Sequence, residues 1–91
     1  MILFDNAIRN ALRERAEEFL KASENYAEST RRLADALTKL TDQLAQLDDK
    51  EKVKVLSKDI KRDIKSLTRT TIELSRKFDA FTSELRNQLQ H

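Results

Sequence analysis

Apolar side chains recur along this chain at alternating intervals of three and four residues. One series begins near the N-terminus and runs through Leu12, Ala16, Phe19, Ser23, Tyr26, Thr30, Leu33, Leu37, Leu40, Leu44 and Leu47. A second series, in which Leu56 and Leu89 can replace polar neighbours, runs through Val53, Ser57, Ile60, Ile64, Leu67, Thr71, Leu74, Phe78, Phe81 and Leu85. This spacing places each series along one stripe of an α-helix, as in a coiled coil. The pattern predicts two long amphipathic helices.

The two series are out of phase with each other. If the first continued past Leu47, it would place Lys54, Lys58 and Lys61 in a core, where unpaired charge is costly. The break between the series contains Asp48, a candidate N-cap, with Glu51 three residues later as in a capping box. We therefore expect a single domain over residues 1–91, with helix 1 over about 2–47, a turn at about 47–50 and helix 2 over about 50–90.

Folding back at this turn pairs the two apolar series sensibly. Leu37 would meet Ile64 in the core, and Thr30 would share a layer with Thr71, where the two hydroxyls could satisfy each other. The predicted fold is an all-α, long antiparallel two-helix coiled-coil hairpin. The alternative is one long bent helix in a parallel dimer, because a local step of three residues through the break is also possible.

The composition excludes several classes of protein. The chain has no Gly, Pro or Cys, so there are no glycine-rich phosphate loops, disulfides or thiolate metal sites. The only histidine is the terminal His91, which has no partner for a catalytic triad or a metal site. The apolar start Met1–Phe4 is too short for a signal peptide or a membrane span. We expect a non-enzymatic cytoplasmic protein without a cofactor.

Small and apolar side chains beside the core positions are candidates for an interface between molecules. The N-terminal segment would extend past the end of helix 2, and a two-helix core is thin, so we expect a homodimer that forms a four-helix bundle. Membrane insertion of the N-terminal segment and fraying are the alternatives for this region. The candidate interface residues are Ile2, Leu3, Phe4, Ala7, Ile8, Ala27 and Ala34.

Positive charge is concentrated in the second half of the chain. Residues 50–77 contain ten Lys/Arg and four Asp/Glu. The candidate residues for an anionic partner are Lys54, Lys58, Lys61, Arg62, Lys65 and Arg69. They could contact anionic lipid or an acidic protein, or form a solvated face. The interspersed acidic residues and the lack of aromatic side chains for base stacking argue against nucleic acid.

These features favour a protein–protein interaction and oligomerisation module, such as a scaffold, an adaptor or a chaperone-like protein. The alternative is a peripheral membrane protein that uses an amphipathic N-terminal segment together with the basic face of helix 2. The pattern does not identify the protein partner.

Overall fold

The chain forms an elongated antiparallel helical hairpin, seen in a computed structural model that describes residues 5–46 and 50–90. Helix α1 spans Asn6–Gln46 and helix α2 spans Lys50–Leu89, and the two pack against each other along their length. The molecule measures 65 × 16 × 15 Å. The predicted all-α hairpin is confirmed. The expected turn, with Asp48 as its cap, falls largely on residues 47–49 and lies outside the described residues.

Asp5 forms the N-terminal cap of α1. Its Oδ1 accepts a hydrogen bond of 2.8 Å from the amide of Ile8, and its carbonyl oxygen accepts one of 3.0 Å from Arg9. An aspartate that satisfies a free amide of the first turn is a favoured helix start. This cap places the start of α1 at Asn6, whereas the apolar pattern suggested about residue 2. Residues 1–4 lie outside the described ranges.

The three buried residues among those described are all small. Ala22 is 4% exposed, Ser29 is 6% exposed and Ala36 is 7% exposed. They occur once every seven residues, and Gln43, seven residues further on, is half-buried. Small side chains let two helix backbones approach closely, because little volume separates them. The two helices therefore pack most closely along this line.

The contact between the helices uses two columns of residues on each helix. In heptad notation, column a holds Leu12, Phe19, Tyr26, Leu33 and Leu40 on α1, and Val53, Ile60, Leu67, Leu74 and Phe81 on α2. Column d holds Ala22, Ser29, Ala36 and Gln43 on α1, and Leu56, Asp63, Thr70, Lys77 and Glu84 on α2. Apart from Tyr26, all of these residues are buried or half-buried.

Eight of the ten predicted core positions that lie one residue after column d are exposed, so the prediction is wrong for these eight, whereas Ala16 and Leu85 are half-buried. Leu37, Ile64 and Phe78 belong to column e, one residue after column d, and they are 46%, 49% and 48% exposed. Column d occupies the contact in their place, although the ring of Phe78 still lies beside that of Phe19. On α1 the reason is that its small residues permit closer packing, and on α2 Leu56 takes the place of Ser57. Column a, which both arrangements share, was predicted correctly.

The threonines of column e do not satisfy each other across the hairpin. Thr30 Oγ1 donates to the carbonyl of Tyr26 at 2.9 Å, and Thr71 Oγ1 donates to the carbonyl of Leu67 at 2.7 Å. Each hydroxyl bonds to its own helix four residues earlier, as is common for threonine inside a helix. The predicted hydrogen bonding between the Thr30 and Thr71 hydroxyls is therefore wrong.

An aromatic cluster joins the helices near their free ends. The ring of Phe19 lies 5.3 Å from that of Phe78 and 6.4 Å from that of Phe81, between centroids. Beside this cluster, Lys77 Nζ lies 3.5 Å from Glu18 Oε2 and 3.7 Å from Glu73 Oε1. These contacts hold the antiparallel register at the end of the hairpin opposite the turn.

Candidate protein-interaction face

One side of the hairpin carries no charged side chain over residues 16–44 of α1 and 64–89 of α2, and Arg13, Lys54 and Lys61 lie on the same side beyond these ranges. Viewed down the axis of each helix, columns e and b lie next to column a, on the side away from column d. Because the helices are antiparallel, these columns of α1 and α2 lie on the same side of the hairpin. We call the following residues the uncharged face: Ala16, Leu20, Ser23, Ala27, Thr30, Ala34, Leu37, Thr41 and Leu44 of α1, and Ile64, Thr68, Thr71, Ser75, Phe78, Thr82, Leu85 and Leu89 of α2.

Large apolar side chains on the uncharged face are open to solvent. The exposed fraction is 59% for Leu20, 50% for Leu44 and 50% for Leu89, close to the values for Leu37, Ile64 and Phe78. They recur on both helices, so the apolar surface is continuous and not a set of isolated side chains. A contiguous patch of this kind is larger than the scattered apolar residues of an ordinary protein surface.

The opposite side of the hairpin is polar and carries many ion pairs. Glu28 accepts hydrogen bonds from Arg31 at 2.6 Å and from Arg32 at 3.2 Å, and Arg31 also lies 3.2 Å from Asp35. Val55 and Ile72 are exposed here, by 56% and 48%, among charged neighbours. This side resembles an ordinary solvated helix surface. The uncharged face differs from it because large apolar side chains are exposed there without charged neighbours.

The hydrogen bond from Arg31 lowers the pKa of Glu28, and the positive charges of Arg31 and Arg32 add to this effect. In return, the hydrogen bond to Glu28 raises the pKa of Arg31, with the Glu28 and Asp35 charges contributing. The cluster therefore stays ionised over the physiological pH range. Because these side chains are largely open to solvent, the cluster supports the helix locally.

The structure brings two of the predicted interface residues onto the uncharged face. Ala27 and Ala34 are both exposed there, in column b. Ala7 is exposed and Ile8 is half-buried near the end of α2. Ile2, Leu3 and Phe4, the remaining candidates, lie outside the described residues.

The predicted basic residues all lie exposed on α2, in the half nearest the turn. Arg62 pairs with Asp59 at 3.1 Å and Lys54 pairs with Glu51 at 3.5 Å. Over the part of the chain that the structure describes, Lys58, Lys61, Lys65 and Arg69 form no ion pair. These four cations are available to an external anion.

The described residues hold no group of three or more His, Cys, Asp or Glu side chains placed to bind a metal ion. Within residues 5–46 and 50–90, neither helix contains an apolar stretch long enough to cross a bilayer. Comparisons with protein-family models, with curated proteins and with solved structures found no match.

Sequence reasoning missed the exposed large residues of the uncharged face. Leu37, Ile64 and Phe78 were assigned to the core, and Leu20 was not singled out. A signal was present in the sequence: on α1, the four adjacent columns d, a, e and b carry no charge from Ala16 to Leu44, and a two-helix contact needs only two of them. The surplus columns predict a second contact surface.

Proposed function

We propose that this protein is a non-enzymatic, cytoplasmic coiled-coil module that binds helices of other molecules on its uncharged face. The supporting observation is that large apolar side chains remain open to solvent beside the contact between α1 and α2. On α1 that contact is lined by small residues, and Leu37, Ile64 and Phe78 next to it are about half-exposed. The apolar residues that the hairpin leaves open are spaced to receive a helix. The cytoplasmic location rests on the sequence pattern alone.

A photo-crosslinking amino acid tests the proposal in the cells that make the protein. It is introduced at Phe78 of the uncharged face and, as a matched control, at Ile72 of the polar face, since the two positions are equally exposed. We expect protein adducts from position 78 and few from position 72. The proposal fails if position 78 gives no protein adduct, or if both positions give the same adducts in the same yield.

The unpaired cations of α2 support a second candidate, which is binding to an anionic membrane surface. Lys58 and Lys65 lie in one line on the outer side of the helix, and each basic residue near an anionic bilayer contributes about 1 kcal/mol. Flotation with phosphatidylserine vesicles tests this candidate with the variant Lys58→Gln/Lys65→Gln. The control Lys21→Gln/Lys39→Gln removes the same charge elsewhere. If wild type does not float at low salt, or if both variants lose binding equally, this candidate is wrong.

A further inference from the structure

We propose that the uncharged face is covered by a second copy of this chain, with the turn end of one hairpin against the free-end half of the other. This inference rests on the proposed function and adds the identity of the partner and its orientation. The product is a four-helix bundle with one two-fold axis that crosses the middle of the face.

The exposed area is large enough to accommodate such a partner. The accessible surface is 7205 Å², whereas a compact protein of this mass exposes about 5,500 Å². The radius of gyration is 20.1 Å, against about 12 Å for a compact domain of this length. A face 65 Å long and 16 Å wide offers about 1,000 Å² per copy, so two copies bury about 2,000 Å², which is sufficient for a stable interface.

The face is self-complementary about a two-fold axis near Ala27. With the two α1 helices antiparallel across the interface, Leu20 faces Ala34 of the second copy and Leu37 faces Ala16 of the second copy. Ala27 meets its own symmetry mate. Large side chains thus oppose small ones on both sides of the axis, as close packing requires.

The distribution of positive charge favours the opposed orientation of the two hairpins. Residues 50–69 carry eight Lys/Arg and three Asp/Glu, a net of +5, and they all lie in the half of the hairpin near the turn. If both turns lay at the same end, these two segments would lie together and repel. In the opposed orientation their midpoints lie about 30 Å apart, at 1.5 Å per helical residue. This is well beyond the screening length of about 8 Å at physiological salt.

Sedimentation equilibrium of the full chain tests the dimer. Ile64 and Ile72 are equally exposed, by 49% and 48%, but only Ile64 lies on the uncharged face. We expect wild type and Ile72→Lys to be dimers and Ile64→Lys to dissociate at least 100-fold more readily, with circular dichroism showing that its helices remain. A monomeric wild type overturns the inference, and so does equal dissociation of the two variants.

A second pair of variants keeps the test valid if Ile64→Lys does not fold. Ala27→Arg introduces a good helix former at an exposed position, so a single hairpin tolerates it. The dimer does not, because two arginines would meet at the two-fold axis. Ala45→Arg, on the solvated side of α1, is the control and should remain dimeric. A dimeric Ala27→Arg overturns the proposed interface.

The orientation is tested by the distance between two nitroxide labels in one dimer. The chain has no native cysteine, so Asp42→Cys provides a single labelling site near the turn. The opposed orientation places the two labels about 45 Å apart, from the rise of 1.5 Å per residue. A distance below about 25 Å would put both turns at one end and overturn the orientation, since neighbouring helix axes are about 10 Å apart.

Failure of this inference is distinguishable from failure of the proposed function. A monomeric wild type whose Phe78 position still crosslinks to other proteins overturns the dimer and leaves the proposed function standing. A monomer without adducts at position 78 overturns both. A dimer that crosslinks to itself through position 78, and not through position 72, supports both.

Discussion

At the scale of single residues, Ala22, Ser29 and Ala36 determine which side of α1 faces its partner. The spacing of a three-four alternation fits column a together with column d or with column e, and column e carries more of the large apolar side chains. The sequence therefore predicted the shared column correctly and favoured column e over column d. The choice depends on how closely two backbones approach, which is a property of both helices together and not of either apolar pattern alone.

Enlarging a residue of the close contact should separate the helices. Ala36→Leu adds volume where Ala36 is 7% exposed, and overpacking of this kind costs about 1–3 kcal/mol in the free energy of unfolding. Ala45→Leu makes the same change on the exposed side of α1 and should alter stability by less than about 0.5 kcal/mol. Urea unfolding at one fixed protein concentration measures both. Equal destabilisation by the two variants would contradict the role of the small-residue line.

The ion-pair cluster at Glu28 should be visible in a pH titration. Because hydrogen bonding from Arg31 lowers the pKa of Glu28, the cluster's contribution to stability is fully present above the ordinary glutamate pKa of 4.5. It is lost as the pH falls through the lowered value. A carbon-13 NMR titration should give a midpoint for Glu28 below 4.5, and Arg31→Gln should shift this midpoint upward. An unchanged midpoint in the variant would contradict the assignment.

At the scale of elements, the sequence predicted both helices and the break between them, because long amphipathic periodicity is the strongest sequence signal for a helix. The start of α1 was harder to place. The apolar residues Ile2, Leu3 and Phe4 extend the periodic pattern past the cap, whereas a local hydrogen bond from the amide of Ile8 to the side chain of Asp5 fixes the boundary. Asp5, three residues before Ile8, is the sequence signal that could have located it.

Removing the Asp5 cap should fray the first turn of α1. Asp5→Ala leaves the amide of Ile8 without its 2.8 Å acceptor, and the loss of such a cap costs about 1 kcal/mol. Asp5→Asn retains an acceptor and should behave nearly as wild type. Hydrogen exchange at Ile8 should therefore accelerate in Asp5→Ala and not in Asp5→Asn. Equal exchange rates in the two variants would show that the side chain does not cap the helix.

At the scale of the whole molecule, a rod with dimensions of 65 × 16 × 15 Å has too little interior to bury large side chains. No described side chain is completely buried, and α2 has no buried residue. The sequence predicted Ala27 and Ala34 as interface residues because small residues flanked the apolar stripe. It could not predict that Phe78 and Ile64 lie beside them, since that depends on the rotation of each helix about its axis.

The proposed dimer should double the mass without lengthening the particle. Small-angle X-ray scattering should give the mass of two chains and a radius of gyration of about 21 Å, since the paired hairpins lie side by side about 10 Å apart. A single hairpin has a radius of gyration of 20.1 Å. An end-to-end dimer would nearly double the radius of gyration, and that result would exclude face-to-face packing.

The threonines of the uncharged face have one further consequence. Thr30, Thr41, Thr68, Thr71 and Thr82 each donate their hydroxyl hydrogen to a carbonyl of their own helix, at 2.7–3.1 Å. When water is removed from this face, each of these hydroxyl donors keeps its hydrogen bond. The free-energy cost of burying an unsatisfied hydroxyl donor is therefore avoided. Once water is excluded, these threonines behave much as valines would, and the surface is more hydrophobic than its amino-acid composition suggests.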